Sequence, residues 1–148
     1  MDHEQLTQVR DTAIRLLTRR EHSELELRRK LQLRDFPADL IDQVVARLLA
    51  EDLLSEERFI EAYIRTRGAR GVGPQRIRAE LQQRGIDSAT AEHYLRTADE
   101  DWQARALEQY HKRFGDQPPH NMAERSRHYR FLANKGFTSE QIRRVLDE

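Results

Sequence analysis

Apolar residues recur along the chain at spacings of three and four. Leu6, Val9, Ala13, Leu16 and Leu17 form one stripe, Leu27 and Leu31 a second, and Leu40, Ile41, Val44, Val45 and Leu48 a third. That spacing places side chains on one face of a helix, with the polar residues between them facing water. No stretch of useful length alternates with period two, so no strand is expected.

The stripes repeat. RRKLQLRDFPADLIDQVV (28–45), RAELQQRGIDSATAEHYL (78–95) and YRFLANKGFTSEQIRRVL (129–146) align without gaps. Leu31, Leu81 and Leu132 then coincide, as do Phe36, Ile86 and Phe137, Ile41, Ala91 and Ile142, and Val44, Tyr94 and Val145. Within each copy the punctuation is the same: Arg34-Asp35-Phe36, Arg84-Gly85-Ile86 and Lys135-Gly136-Phe137. A base, a residue that tolerates positive φ and a large apolar residue are the marks of a helix C-terminus. Asp is the weakest of the three at the central position. Asp87 and Thr138 read as N-caps of the following helix, and Thr138 with Gln141 and Ser23 with Glu26 as capping boxes.

Another helix opens each copy, over Thr7–Glu21, Ser55–Thr66 and Asp101–Phe114. The predicted fold is all-α: three tandem three-helix repeats of about fifty residues. Their approximate spans are 6–50, 55–98 and 99–148, within one domain covering 1–148. Such units are expected to stack as a short, elongated, curved solenoid, which offers a long surface instead of a deep pocket.

Composition narrows the function. The 148 residues are 37% apolar and 35% charged, with no cysteine, so disulfides, thiolate metal sites and cysteine nucleophiles are excluded. The polar N-terminus and the lack of a long apolar run point to a cytoplasmic protein. Lys and Arg equal Asp and Glu at 26 each, which argues against a bulk polyanion binder. The charges are nevertheless blocked. Arg58 to Arg84 holds seven arginines against two glutamates, and Asp35 to Glu57 seven acids against one arginine. Such blocks serve either a partner or the packing of neighbouring helices on each other.

The basic block contains Gly68-Ala69-Arg70-Gly71-Val72-Gly73-Pro74. Its glycines are in the wrong order for a dinucleotide fingerprint, follow a helix where a strand is required, and lack the Gly-Lys-Ser/Thr of a P-loop. Gly73 reads as an N-cap and Pro74 as the first helical residue. Arg76 and Arg78 then stand where acids are favoured, a mismatch of roughly 0.3–1 kcal/mol each that invites a partner carboxylate or phosphate. Arg65, Arg67, Arg70, Arg76 and Arg78 are the candidate partner-binding residues. Glu124 and His128 are a chance-level metal pair, and His128, in register with Leu27 and Ile77, is expected to pack. Tyr63, Tyr94, Trp102, Tyr110 and Phe114 fall at core spacing. No nucleophile, base and orienter come together, and no catalytic residue, metal or cofactor is expected.

RREHSELELRRKL (19–31), LLSEERFIEAYIRTRGARGVGPQRIRAELQQRGI (53–86) and RFLANKGF (130–137) together resemble the RecX family of bacterial regulatory proteins. Asp35 and Asn134 depart from its repeat pattern. The resemblance implies three three-helix repeats and a non-enzymatic modulator of the RecA recombinase. Such a modulator mainly inhibits, limiting filament growth, ATPase, strand exchange and co-protease activity. The implied partner is the RecA filament on single-stranded DNA; the basic segment leaves room for weak direct DNA contact at low salt, and neither membrane nor small-molecule substrate is expected. Two alternatives stand beside it: a sequence-independent DNA binder acting without RecA, and a helical scaffold.

Overall fold

The computed structural model describes residues 2–147, and every regular element among them is helical. In chain order they are α1 (Asp2–Arg19), α2 (Glu24–Gln32), α3 (Ala38–Ala50), α4 (Glu56–Ala69), α5 (Pro74–Gln83), α6 (Ser88–Thr97), α7 (Trp102–Phe114), α8 (Met122–Lys135) and α9 (Ser139–Leu146). The expected helix starts and ends hold to within a few residues, α1 excepted. That helix begins five residues early, because the polar segment before Leu6 has nothing in it that breaks a helix.

The punctuation read from the repeats is present. Ser23 and Thr138 form capping boxes with Glu26 and Gln141, and Asp87 accepts from the Thr90 amide. Asp35, Gly85 and Gly136 all take positive φ, at 59°, 89° and 106°, so the aspartate does adopt the left-handed turn. Asp52, at 58°, does the same after α3, where the sequence carried no such signal.

Packing divides the chain into two compact units. One holds the residues up to Ala62 together with Gln83–Ile86; the other holds Tyr63–Gln82 together with the residues from Asp87 on. The boundary falls inside α4, so the packing units and the sequence repeats do not coincide.

In the first unit, Val9, Ala13 and Leu16 of α1 meet Leu27 and Leu31 of α2 and the α3 stripe from Leu40 to Leu48, with Leu54 closing the cluster. His22 is also buried there, at 1% exposure. The Lys30 ammonium lies 2.8 Å from its Nε2 and the Arg20 carbonyl 3.0 Å from its Nδ1. An ammonium only donates, so Nδ1 carries the ring proton and the imidazole is neutral. Burial pushes its pKa down, and the charges of Arg20 and Lys30 push the same way, against the Arg20 carbonyl.

In the second unit, Ala106 and Tyr110 of α7, Leu132 of α8 and Phe137, Ile142, Val145 and Leu146 form one core cluster. His128 sits beside them as a packing residue, as its register predicts. Its ring stacks on Phe114 with centroids 3.7 Å apart and is hydrogen-bonded to the Tyr110 hydroxyl at 3.0 Å.

Candidate partner-binding surface

The basic segment lies in the second unit. Its glycine loop first closes α4: the amides of Arg70 and Val72 donate to the Arg67 carbonyl, and that of Gly71 to the Gly68 carbonyl, at 3.0–3.1 Å. Gly71, at φ +86°, supplies the left-handed residue this reversal needs. The loop then docks on another helix. Gly73 N–H donates to the Lys135 carbonyl and Gln75 N–H to the Gly136 carbonyl, both at 2.8 Å. Pro74 has no N–H to offer. Every backbone donor from Arg70 to Gln75 is thus spent within the chain, and none remains to cradle a phosphate.

At the start of α5 this contact takes the Gly73 and Gln75 amides that an anion would otherwise use, and leaves an external anion only the side chains of Arg76 and Arg78. The C-terminal carbonyls of α8 fill the position, so the positive end of one helix dipole faces the negative end of another. Two glycines let the backbones come this close. A Cβ on Gly73 would run into the Gly136 carbonyl and the Phe137 amide, and one on Gly136 would run into Arg76. Here the glycines serve helix docking.

The five candidate arginines divide by environment. Arg67 makes a two-pronged pair with Glu80, its Nε and Nη2 each 2.9 Å from a carboxylate oxygen. Glu80 also accepts from the Tyr63 hydroxyl at 2.8 Å and from Arg76 Nε at 3.2 Å. Burial would raise the Glu80 pKa, but the hydrogen bonds from Arg67 and Tyr63 prevail and hold its carboxyl below the usual range. The Arg67 and Glu80 side chains are only 24% and 17% exposed, so Arg67 is a cation fixed inside the unit. Arg76 keeps about half of its side chain in water, and Arg78 lies 4.0 Å from Glu92, at the limit of an ion pair. Arg65 and Arg70 are exposed and form no ion pair among the described residues.

Sequence reasoning passed over three neighbours of this segment. Trp102, expected in the core, is half-buried and lines a groove that also takes in Arg96 and Arg144. Nothing in the spacing of those arginines signals that the fold brings them together. Among the described residues no group of acids and histidines could hold a metal ion, and no helix is long and apolar enough to cross a membrane.

Comparison with known proteins places this architecture. Family models for the first, second and third three-helix domains of RecX match residues 10–48, 55–95 and 99–146, in that order. The chain belongs to the RecX family. Among proteins named Regulatory protein RecX, that of Pseudomonas entomophila (strain L48) is 46% identical, over 93% of this chain and 89% of its own. That of Pseudomonas savastanoi pv. phaseolicola is 44% identical over the same shares. The crystal structure of RecX from Lactobacillus salivarius superposes with a TM-score of 0.80 at 22% identity, covering 98% of this chain and 96% of that one. A second crystal structure of regulatory protein RecX gives 0.79 at 21% identity, over 97% and 72% of the two chains. At these identities the two structures speak for the fold, and the family models and the Pseudomonas relatives for membership in a family of regulatory proteins.

Proposed function

We propose that the chain regulates the RecA recombinase, binding the RecA filament on single-stranded DNA and limiting its growth, ATPase, strand exchange and co-protease activity. The observation that carries this reading is the ordered match of all three RecX domains along the chain. Equal numbers of acids and bases favour a protein partner over naked nucleic acid, whose binding grows with accumulated cations and fades with salt.

Within the basic segment, Arg65 and Arg70 are the contact residues, with Arg76 and Arg78 adding what their exposure allows. Arg67 acts by position, holding Glu80 and through it Arg76. The test is RecA's DNA-dependent ATPase on single-stranded DNA at physiological salt, titrated with this protein from well below stoichiometric amounts. The rate is expected to fall at a small ratio of protein to RecA. An unchanged rate until the protein saturates the DNA would replace this reading with competition for the strand. The paired variant Arg65→Glu/Arg70→Glu should lose most of the inhibition at unchanged helical content.

A further inference from the structure

A groove of about 590 Å³ opens within the second unit where α5, α6, α7 and α9 meet. Its floor is fixed. The Trp102 indole N–H donates to the Leu95 carbonyl at 3.3 Å, and the Gln103 amide donates to the Gln141 carbonyl at 3.0 Å, tying α7 to α6 and to α9. The rim carries Arg78, Arg96 and Arg144 with two carboxylates among them, Glu92 and Glu140.

These arginines are poorly engaged. Arg96 is exposed and makes no ion pair among the described residues. Arg78 only reaches the edge of Glu92's range at 4.0 Å. Arg144 pairs with Glu140 at 2.8 Å, but both side chains are about two-thirds exposed, at 63% and 68%. An exposed pair one helical turn apart is weak and exchanges readily for a better acceptor. The helix starts around the groove, in contrast, are already served from within: Gln75 N–H by the Gly136 carbonyl, Ala104 N–H by Asp101, and Thr138 N–H by Gln141. Attraction for an anion therefore resides in the side chains.

We propose that this groove receives an extended acidic segment of a partner protein, with carboxylates meeting Arg78, Arg96 and Arg144 and an apolar side chain resting on Trp102 and Leu95. The rim decides between peptide and nucleic acid. A phosphate backbone carries a charge at every nucleotide and would meet Glu92 and Glu140, whereas a peptide can place its acids opposite the arginines only. An aromatic floor ringed by arginines is also the composition of a protein-binding hot spot. The proposal goes beyond the RecA reading and concerns the chemistry of the groove itself.

Trp102 is the only tryptophan of the chain, so its emission reports on the groove directly. The intact protein would be titrated, at physiological salt, with a blocked peptide alternating Asp or Glu with Leu and free of aromatic residues. A saturable change in emission is expected, absent with the same peptide carrying Asn and Gln. Affinity should fall about tenfold in Arg96→Glu, as reversal of a direct charge contact predicts, and comparably in Arg144→Glu, with the helical circular dichroism unchanged. No saturable change with the acidic peptide would overturn the proposal, as would an affinity in both variants equal to that of the parent. A change with oligothymidylate but not with the peptide would give the groove to nucleic acid instead. The ATPase titration is scored apart from these outcomes, so either reading can fail alone.

Discussion

Substituting Gly73 by alanine tests the docking of α5 on α8 with a single methyl group. Gly73 is not among the positive-φ residues, and the residue before a proline is held in the extended region that alanine also occupies. Backbone strain therefore contributes little, and the cost is steric. The new Cβ meets the Gly136 carbonyl and the Phe137 amide, backbone atoms that have no rotamer to turn away with. Forcing such a contact costs about 1–3 kcal/mol. The two amide–carbonyl bonds at 2.8 Å stretch as the helices part, at about 1 kcal/mol each. Against this, alanine restricts the unfolded chain and returns about 0.4–1 kcal/mol. The net is a loss of about 2–4 kcal/mol, or a fall in Tm of about 5–15 °C for a chain of this size. Urea unfolding followed by far-ultraviolet circular dichroism and Trp102 emission measures it. Gly115→Ala isolates the opposite cost: nothing lies within 4 Å of its absent Cβ, but φ +75° with ψ −157° is backbone essentially reserved for glycine, so its loss of about 1–3 kcal/mol is strain alone. Gly73→Ala within about 0.5 kcal/mol of the parent would refute the docking argument.

Glu80→Gln should cost about 1.5–3 kcal/mol at neutral pH, the worth of hydrogen bonds to a charged group, because it strips Arg67 of its carboxylate. Glu80's folded pKa lies below its ordinary 4.5, so its contribution is full above that value and lost as pH falls through the folded pKa. The gap between parent and variant should accordingly close in strong acid, and a gap independent of pH would contradict the assignment. The buried histidines act at higher pH. Burial lowers the pKa of both His22 and His128 from 6.5, the charge of Arg127 helping at the latter. The unfolded chain therefore binds more protons just below 6.5, and stability falls as pH drops from there through the folded values. The slope of urea midpoint against pH between 7.5 and 5 should flatten in His22→Gln/His128→Gln; an unchanged slope would place the titration elsewhere.

The helices were legible because their signals are local. Ser23, Asp87 and Thr138 cap within three residues of themselves, and the core stripes recur at a fixed offset that any mistaken helix would break. Asp52 escaped notice because its left-handed turn follows α3, outside the repeated punctuation. The packing units escaped it too, since repeat register aligns residues by position and not by what they touch. Trp102 sits at core spacing yet is only partly buried, because the place of α7 against α6 and α9 is set by partners far away in sequence.

Charge shows the difference most clearly. Along the chain, Arg58 to Arg84 is an uninterrupted basic block with only two acids inside it. In space five of its seven arginines face a carboxylate, three of them one that lies outside the block. Arg58 pairs with Glu21 at 3.0 Å and Asp52 at 3.1 Å, and Arg84 with Glu26 at 3.4 Å. Glu80, an acid of the block itself, takes Arg67 and Arg76 together, and Arg78 leans toward Glu92. Alternating basic and acidic blocks thus serve first to pack the helices on each other. Arg65 and Arg70 are the exposed arginines of the block that form no ion pair among the described residues, which is why they lead the contact we propose. A charge reversal at Arg58, Arg67 or Arg84, each within 3.4 Å of a carboxylate, perturbs the packing of the helices before it perturbs binding.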